Sequence, residues 1–173
     1  MKEDKIMSLM DEINYGWVDK KGSKHVDDFD TFSTDYVLQS PQELIKSKLG
    51  VCWDQVELER YYFQESFEEV KTYFIVHYDN AKSPTHTFLV FKKDNYYYWF
   101  EHSWEMFRGI YKFHSLRELL SNVREKFIKT TLYDKYIKEN LVIYEYNKPK
   151  FNISVQEFFD HCDNGKYVDI ENM

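Results

Sequence analysis

The 173-residue chain reads as an α+β domain, and three observations carry that reading. Runs rich in β-branched and aromatic residues follow one another at 70–78, 85–91 and 96–100. Helix-opening patterns led by serine stand before and after them, at Ser40-Pro41-Gln42-Glu43, Ser115-Leu116-Arg117-Glu118 and Ser154-Val155-Gln156-Glu157. The strands are grouped and do not alternate one by one with helices, which separates α+β from α/β.

The elements follow in order. Residues 1–14 suit a short amphipathic helix with Ile6, Leu9, Met10 and Ile13 on one side. Residues 15–39, with Gly22, Asp27, Asp28 and Asp30, keep no sustained period and read as an irregular surface-crossing segment. Ser40 is then the N-cap of a short helix, Pro41 its first residue and Glu43 the reciprocal partner, with an end near Lys48. Gly50 breaks this helix. From Cys52 to about Glu65 neither Gly nor Pro occurs, which predicts a second, longer helix burying Val56, Leu58, Tyr62 and Phe63. After the three strands, the last two of them a hairpin, Ser115 opens a helix with Leu116, Leu119, Leu120, Val123 and Phe127 inward. Residues 141–146 form a further strand, and Ser154 opens a last helix carrying Val155, Phe158, Phe159 and Cys162. The expected order after the N-terminal element is helix, helix, three strands, helix, strand, helix.

Composition narrows the function. A formal net charge of −7 without a basic stripe excludes a nucleic-acid partner, because such binders must displace counterions from phosphates. No run of about 18 apolar residues exists to cross a membrane, and the N-terminus lacks the apolar stretch of a signal peptide, so a cytoplasmic protein is expected. The two cysteines, Cys52 and Cys162, are too few for a disulfide scaffold and should be thiols. The length suits one domain over 1–173, with a core at about 40–105, an irregular N-terminal segment and a C-terminal helix-strand-helix extension.

Cys52, after Gly50 at the head of a helix, stands where free N–H groups and the positive dipole end favour a thiolate. A small buried hydrophobe is the ordinary alternative for a free cysteine. Its partners are expected on the hairpin. A turn centred on Lys93-Asp94 sets His86 opposite Glu101, Phe88 opposite Trp99 and Val90 opposite Tyr97. Directly opposed residues hold their Cβ atoms about 4.5–5.5 Å apart, so Glu101 can accept a hydrogen bond from His86, fix its tautomer and support an imidazolium. The alternative is a structural His–Glu pair, and a one-residue slip would send Glu101 to the other face. His102 is expected on that other face, His77 and His114 as structural or surface groups, and Cys162 as a buried, inert thiol.

These residues resemble a known family. A Gly-x-Cys-x-Asp helix start (Gly50, Cys52, Asp54), a histidine opening a strand (His86-Thr-Phe-Leu-Val-Phe) and an acidic residue between tryptophans (Trp99-Phe-Glu101-His-Ser-Trp104) look like the transglutaminase-like core of the papain-like cysteine superfamily, over residues 40–105. The resemblance implies a helix bearing Cys52 as nucleophile, packed on an antiparallel sheet bearing His86 as base and Glu101 as the third member. The family more often has aspartate at that third position, one methylene shorter. The implied activity is acyl transfer through a thioester, with a peptide or protein amide as substrate and either water or an amine as second nucleophile. Some members have lost catalysis, which gives the alternative of a peptide- or protein-binding module. The backbone N–H of Cys52 is the first oxyanion donor. Candidates for the second are Trp17 and Tyr15 of the Tyr-Gly-Trp stretch, for which core packing or the lining of a substrate groove is an equal alternative, then Gln42 and Gln55. No cofactor and no metal are expected, since no second Cys or His lies at short ligand spacing from Cys52.

Overall fold

A computed structural model describes residues 2–80 and 82–173. Met1, at the head of the expected N-terminal helix, and Ala81, in the connection at 79–84, lie outside the described residues. The elements are α1 (Lys2–Met10), α2 (Pro41–Ser47), α3 (Cys52–Phe63), β1 (Val70–His77), β2 (Thr85–Lys93), β3 (Tyr96–Glu101), β4 (Gly109–Phe113), α4 (Leu116–Phe127), β5 (Leu141–Tyr146), α5 (Val155–Asp163) and β6 (Lys166–Tyr167). The fold is α+β. One antiparallel sheet runs in the order β6-β5-β1-β2-β3-β4. The expected strands are present, and β4 and β6 join the sheet beyond them. β4 spans only five residues with a glycine at its head, and β6 only two, so neither offers a long β-branched run to read.

Helices cover both faces of the sheet, and the alternation along each strand decides what they cover. Phe88 and Val90 of β2, with Tyr73 and Ile75 of β1, pack under Leu119, Leu120, Val123 and Phe127 of α4. Leu89 and Phe91 turn the other way, against Phe63 of α3, Leu44 of α2 and Ile6, Met10 and Ile13 near α1. Leu9, expected on the inner side of α1, is exposed. Phe74 and Val76 meet Trp53 and Val56 of α3 and Phe158 of α5. Because both faces are buried, β1 and β2 are nearly continuous in apolar residues, and α3 lies so deep that every residue from Cys52 to Glu59 is buried.

The expected hairpin register is corrected by two residues. Leu89 pairs with Phe100, Val90 with Trp99 and Lys93 with Tyr96, so the turn is Asp94-Asn95 and not Lys93-Asp94. Both turn residues have positive φ, 52° and 66°, the left-handed pair that a two-residue turn needs to match strand twist. Asn and Asp tolerate that conformation and Lys does so at greater cost. Continued past Leu89, this register sets Glu101 across from Phe88, diagonal to His86. A shift of two leaves every side chain on its original face, so His86 and Glu101 still share one.

Between sheet and N-terminus the chain forms short ladders. Trp17–Val18 pairs with Lys24–His25, a single helical turn spans Phe32–Asp35, and Asn14–Tyr15 runs parallel to Leu49–Gly50. Ser40 and Ser154 make the expected reciprocal caps with Glu43 and Glu157. At Ser115 only half of the box forms: its hydroxyl accepts from the Glu118 N–H, while Glu118 itself accepts from the His114 N–H. Among the described residues no helix is long and apolar enough to cross a membrane.

Candidate active site

Lys48 ends α2 in the left-handed conformation, Leu49–Gly50 runs extended, and α3 begins at Cys52. Gly50 is required by close approach, since a Cβ there would lie 2.7 Å from Leu44 Cδ1 and 2.9 Å from Asp54 Cβ. Asp54, at the third position of α3, reaches back to accept from the Val51 N–H at 3.0 Å and also accepts from the Gln39 N–H and the Tyr36 hydroxyl, each at 2.9 Å. Burial pushes its carboxyl up to about 7, against these three hydrogen bonds, which favour the anion. Asp54 thereby fixes the turn that aims Cys52. The first N–H groups of a helix have no partner within it, so the backbone N–H of Cys52, the first residue of α3, has none inside the helix.

His86, at the start of β2, meets this terminus. Its Nε2 lies 2.6 Å from Glu101 Oε1, which leaves Nδ1 as the nitrogen for the Cys52 thiol. Cys52 and His86 are each 7% exposed and Glu101 2%. Burial opposes the charge on His86, but the Glu101 carboxylate and hydrogen bonding to Cys52 and Glu101 outweigh it and push the imidazole up to about 10. The carboxylate is itself held by the Trp99 indole N–H at 3.3 Å, the Trp104 backbone N–H at 3.0 Å and the Ser103 hydroxyl at 3.4 Å. The extra methylene of glutamate is what lets the carboxylate span the diagonal to His86. Trp104 packs against the imidazole, ring centroids 4.7 Å apart and planes tilted by 58°. Deeper on α3, burial and the nearby Glu101 charge push the Glu59 carboxyl well above the ordinary carboxylate range.

A cleft of about 330 Å³ reaches Cys52 and His86, bordered by Tyr15, Trp104, Arg108 and Phe127. Of the four oxyanion or groove candidates, Tyr15 is the one brought to it. The parallel register sets Tyr15 against Gly50, two residues before the cysteine. The residue is 48% exposed, yet desolvation of its hydroxyl and the nearby Cys52, Asp54 and Glu101 push its pKa up and keep it a donor. Trp17 takes the core-packing alternative: it is fully buried, stacked on His25 at 4.0 Å, and its indole N–H donates to the Asp28 carbonyl. Gln42 lies exposed on α2, away from the cleft. Gln55 is buried and spent, donating to the Gly50 carbonyl at 2.9 Å while its oxygen accepts from His102 Nδ1 at 2.6 Å.

His102 is therefore a buried structural group, linked on its other nitrogen to Asp11 at 3.1 Å. Burial and Arg108 hold its imidazole below the usual histidine value. His77 accepts from the Ile137 N–H. Cys162 is fully buried, and burial pushes its thiol far up, as suits an inert group. A larger recess, about 510 Å³, lies against Arg124, Leu141 and Ile170, and neither cysteine borders it. Among the described residues no three His, Cys, Asp or Glu side chains cluster as metal ligands. The sequence missed Arg108 and Phe127 as cleft residues because nothing in their own neighbourhood marks them; a loop and the far end of α4 deliver them. No protein-family model matches the chain, and no curated protein matches it.

Proposed function

We propose that the chain is a thiol-dependent acyl-transfer enzyme with a transglutaminase-like, papain-like core, acting on a peptide or protein amide. The observation that carries this is the meeting of a helix-terminal Cys52 with a His86 whose far nitrogen is bound by Glu101 at 2.6 Å. In the reaction the Cys52 thiol passes its proton to His86, the sulfur attacks the carbonyl carbon, and the carbonyl oxygen takes the electron pair. The Cys52 N–H and the Tyr15 hydroxyl donate to that oxyanion. As the tetrahedral species collapses, the C–N bond breaks, and the His86 imidazolium gives its proton to the leaving amine, which yields a thioester and neutral His86. His86 then takes a proton from water or an amine as it attacks the thioester, and the sulfur departs. Glu101 keeps the imidazole oriented and stabilises its charged form throughout.

Thiol labelling tests the proposal without knowledge of the substrate. Folded protein treated with iodoacetamide between pH 5 and 9 should be modified at Cys52 and not at Cys162, and His86→Ala should slow the Cys52 reaction by about tenfold or more. Equal or negligible labelling of the two cysteines would leave the binding-module alternative as the better account.

A further inference from the structure

The cleft carries one cation that the acyl-transfer chemistry does not use. Arg108 borders it, and its Nε donates to the His102 carbonyl at 2.9 Å, which fixes the root of the guanidinium and leaves its terminal nitrogens for another partner. Among the described residues no carboxylate lies within ion-pair distance of Arg108, although the chain holds 30 acidic residues against 23 basic ones. Glu105, three residues before it in the same turn and also on the cleft, makes no ion pair with it. Glu101 is consumed by His86, Trp99, Ser103 and Trp104. The pairing of Gly109 with Glu101 holds the Arg108 backbone at the catalytic end of the sheet. A guanidinium anchored by one N–H, on a cleft that Cys52, Trp104 and Phe127 also line, suits a planar anion attached to an apolar stem.

We infer that Arg108 is a specificity-determining residue that binds a carboxylate of the substrate, so that the acyl compounds taken by Cys52 are anionic near the scissile bond. This rests on Cys52 being the nucleophile. The carboxylate comes either from an acidic side chain or from a free chain terminus.

Two alkylating agents of nearly equal size, iodoacetate and iodoacetamide, isolate the charge. Each forms an S–CH2 bond on Cys52 and expels iodide, with the thiol proton passing to His86 or solvent; only iodoacetate carries a carboxylate. The ratio of their rates at Cys52 is expected to exceed that for a small free thiol, to fall about fivefold in Arg108→Gln and to persist largely in Arg108→Lys. Glu105→Gln should raise it. Protection of Cys52 by N-acetyl-Ala-Glu-amide would assign the carboxylate to a side chain, and protection by N-acetyl-Ala-Ala with a free terminus would assign it to the chain end. A ratio that matches the free thiol, or that is the same in Arg108→Gln as in the unchanged protein, would overturn the inference. Absence of selective Cys52 labelling by either reagent would instead sink the nucleophile itself.

Discussion

Replacing Glu101 by Gln isolates the charge that holds His86 protonated. His86 is almost wholly buried, and burial alone would carry its imidazole below the ordinary 6.5. The Glu101 carboxylate at 2.6 Å, with hydrogen bonding to Cys52 and Glu101, carries it instead to about 10. The interval from 6.5 to about 10 is worth roughly 5 kcal/mol between the two protonation states. An opposite charge at this range supplies about 1–3 pH units of such an interval. Glutamine keeps the shape and an acceptor oxygen but not the charge, so His86 should titrate about 2 pH units lower in Glu101→Gln, a loss of roughly 3 kcal/mol. The sign follows from the raised value: the imidazolium is fully present at low pH and is lost as pH rises through the folded midpoint. The unchanged protein therefore keeps it through pH 9, and the variant loses it sooner. Nitrogen-15 NMR of the ring, with the His86 signals assigned by their loss in His86→Asn, reads both midpoints. A variant titrating within about half a pH unit of the parent would refute the attribution to Glu101.

Three other changes test the frame around the site. Gly50→Ala forces a methyl against Leu44 and Asp54, and urea unfolding should show a loss of about 1–3 kcal/mol. Tyr15→Phe should slow turnover of p-nitrophenyl acetate by about tenfold or more through loss of an oxyanion donor, while alkylation of Cys52 by iodoacetamide, which forms no oxyanion, falls far less. If both fall together, Tyr15 packs and does not donate. Asn95→Gly relieves a positive φ of 66° in the hairpin turn and should raise stability by roughly 0.5–1 kcal/mol, a gain that urea unfolding would miss if the turn lay elsewhere.

What could be read without a structure was what nearest neighbours along the chain decide. Serine caps, the proline at the head of α2 and the break at Gly50 are local, and they place Cys52 at the start of a helix. The alternation of strand residues put His86 and Glu101 on one face, and an error of two in the turn could not undo that, because side-chain direction repeats every two residues. Which residues across that face touch was decided only by the tertiary structure. The Asp94-Asn95 turn made the pair diagonal, and the length of glutamate closed it. Tyr15 and Trp17 are two residues apart and equal on paper, yet a parallel ladder with Gly50 carries one to the thiol, while the Asp28 carbonyl takes the indole N–H of the other. Arg108, Phe127 and the Gln55–His102–Asp11 chain likewise arise between segments far apart in sequence. Such contacts are set by how the helices and sheet close on one another, and a periodicity confined to one element carries no record of that closure.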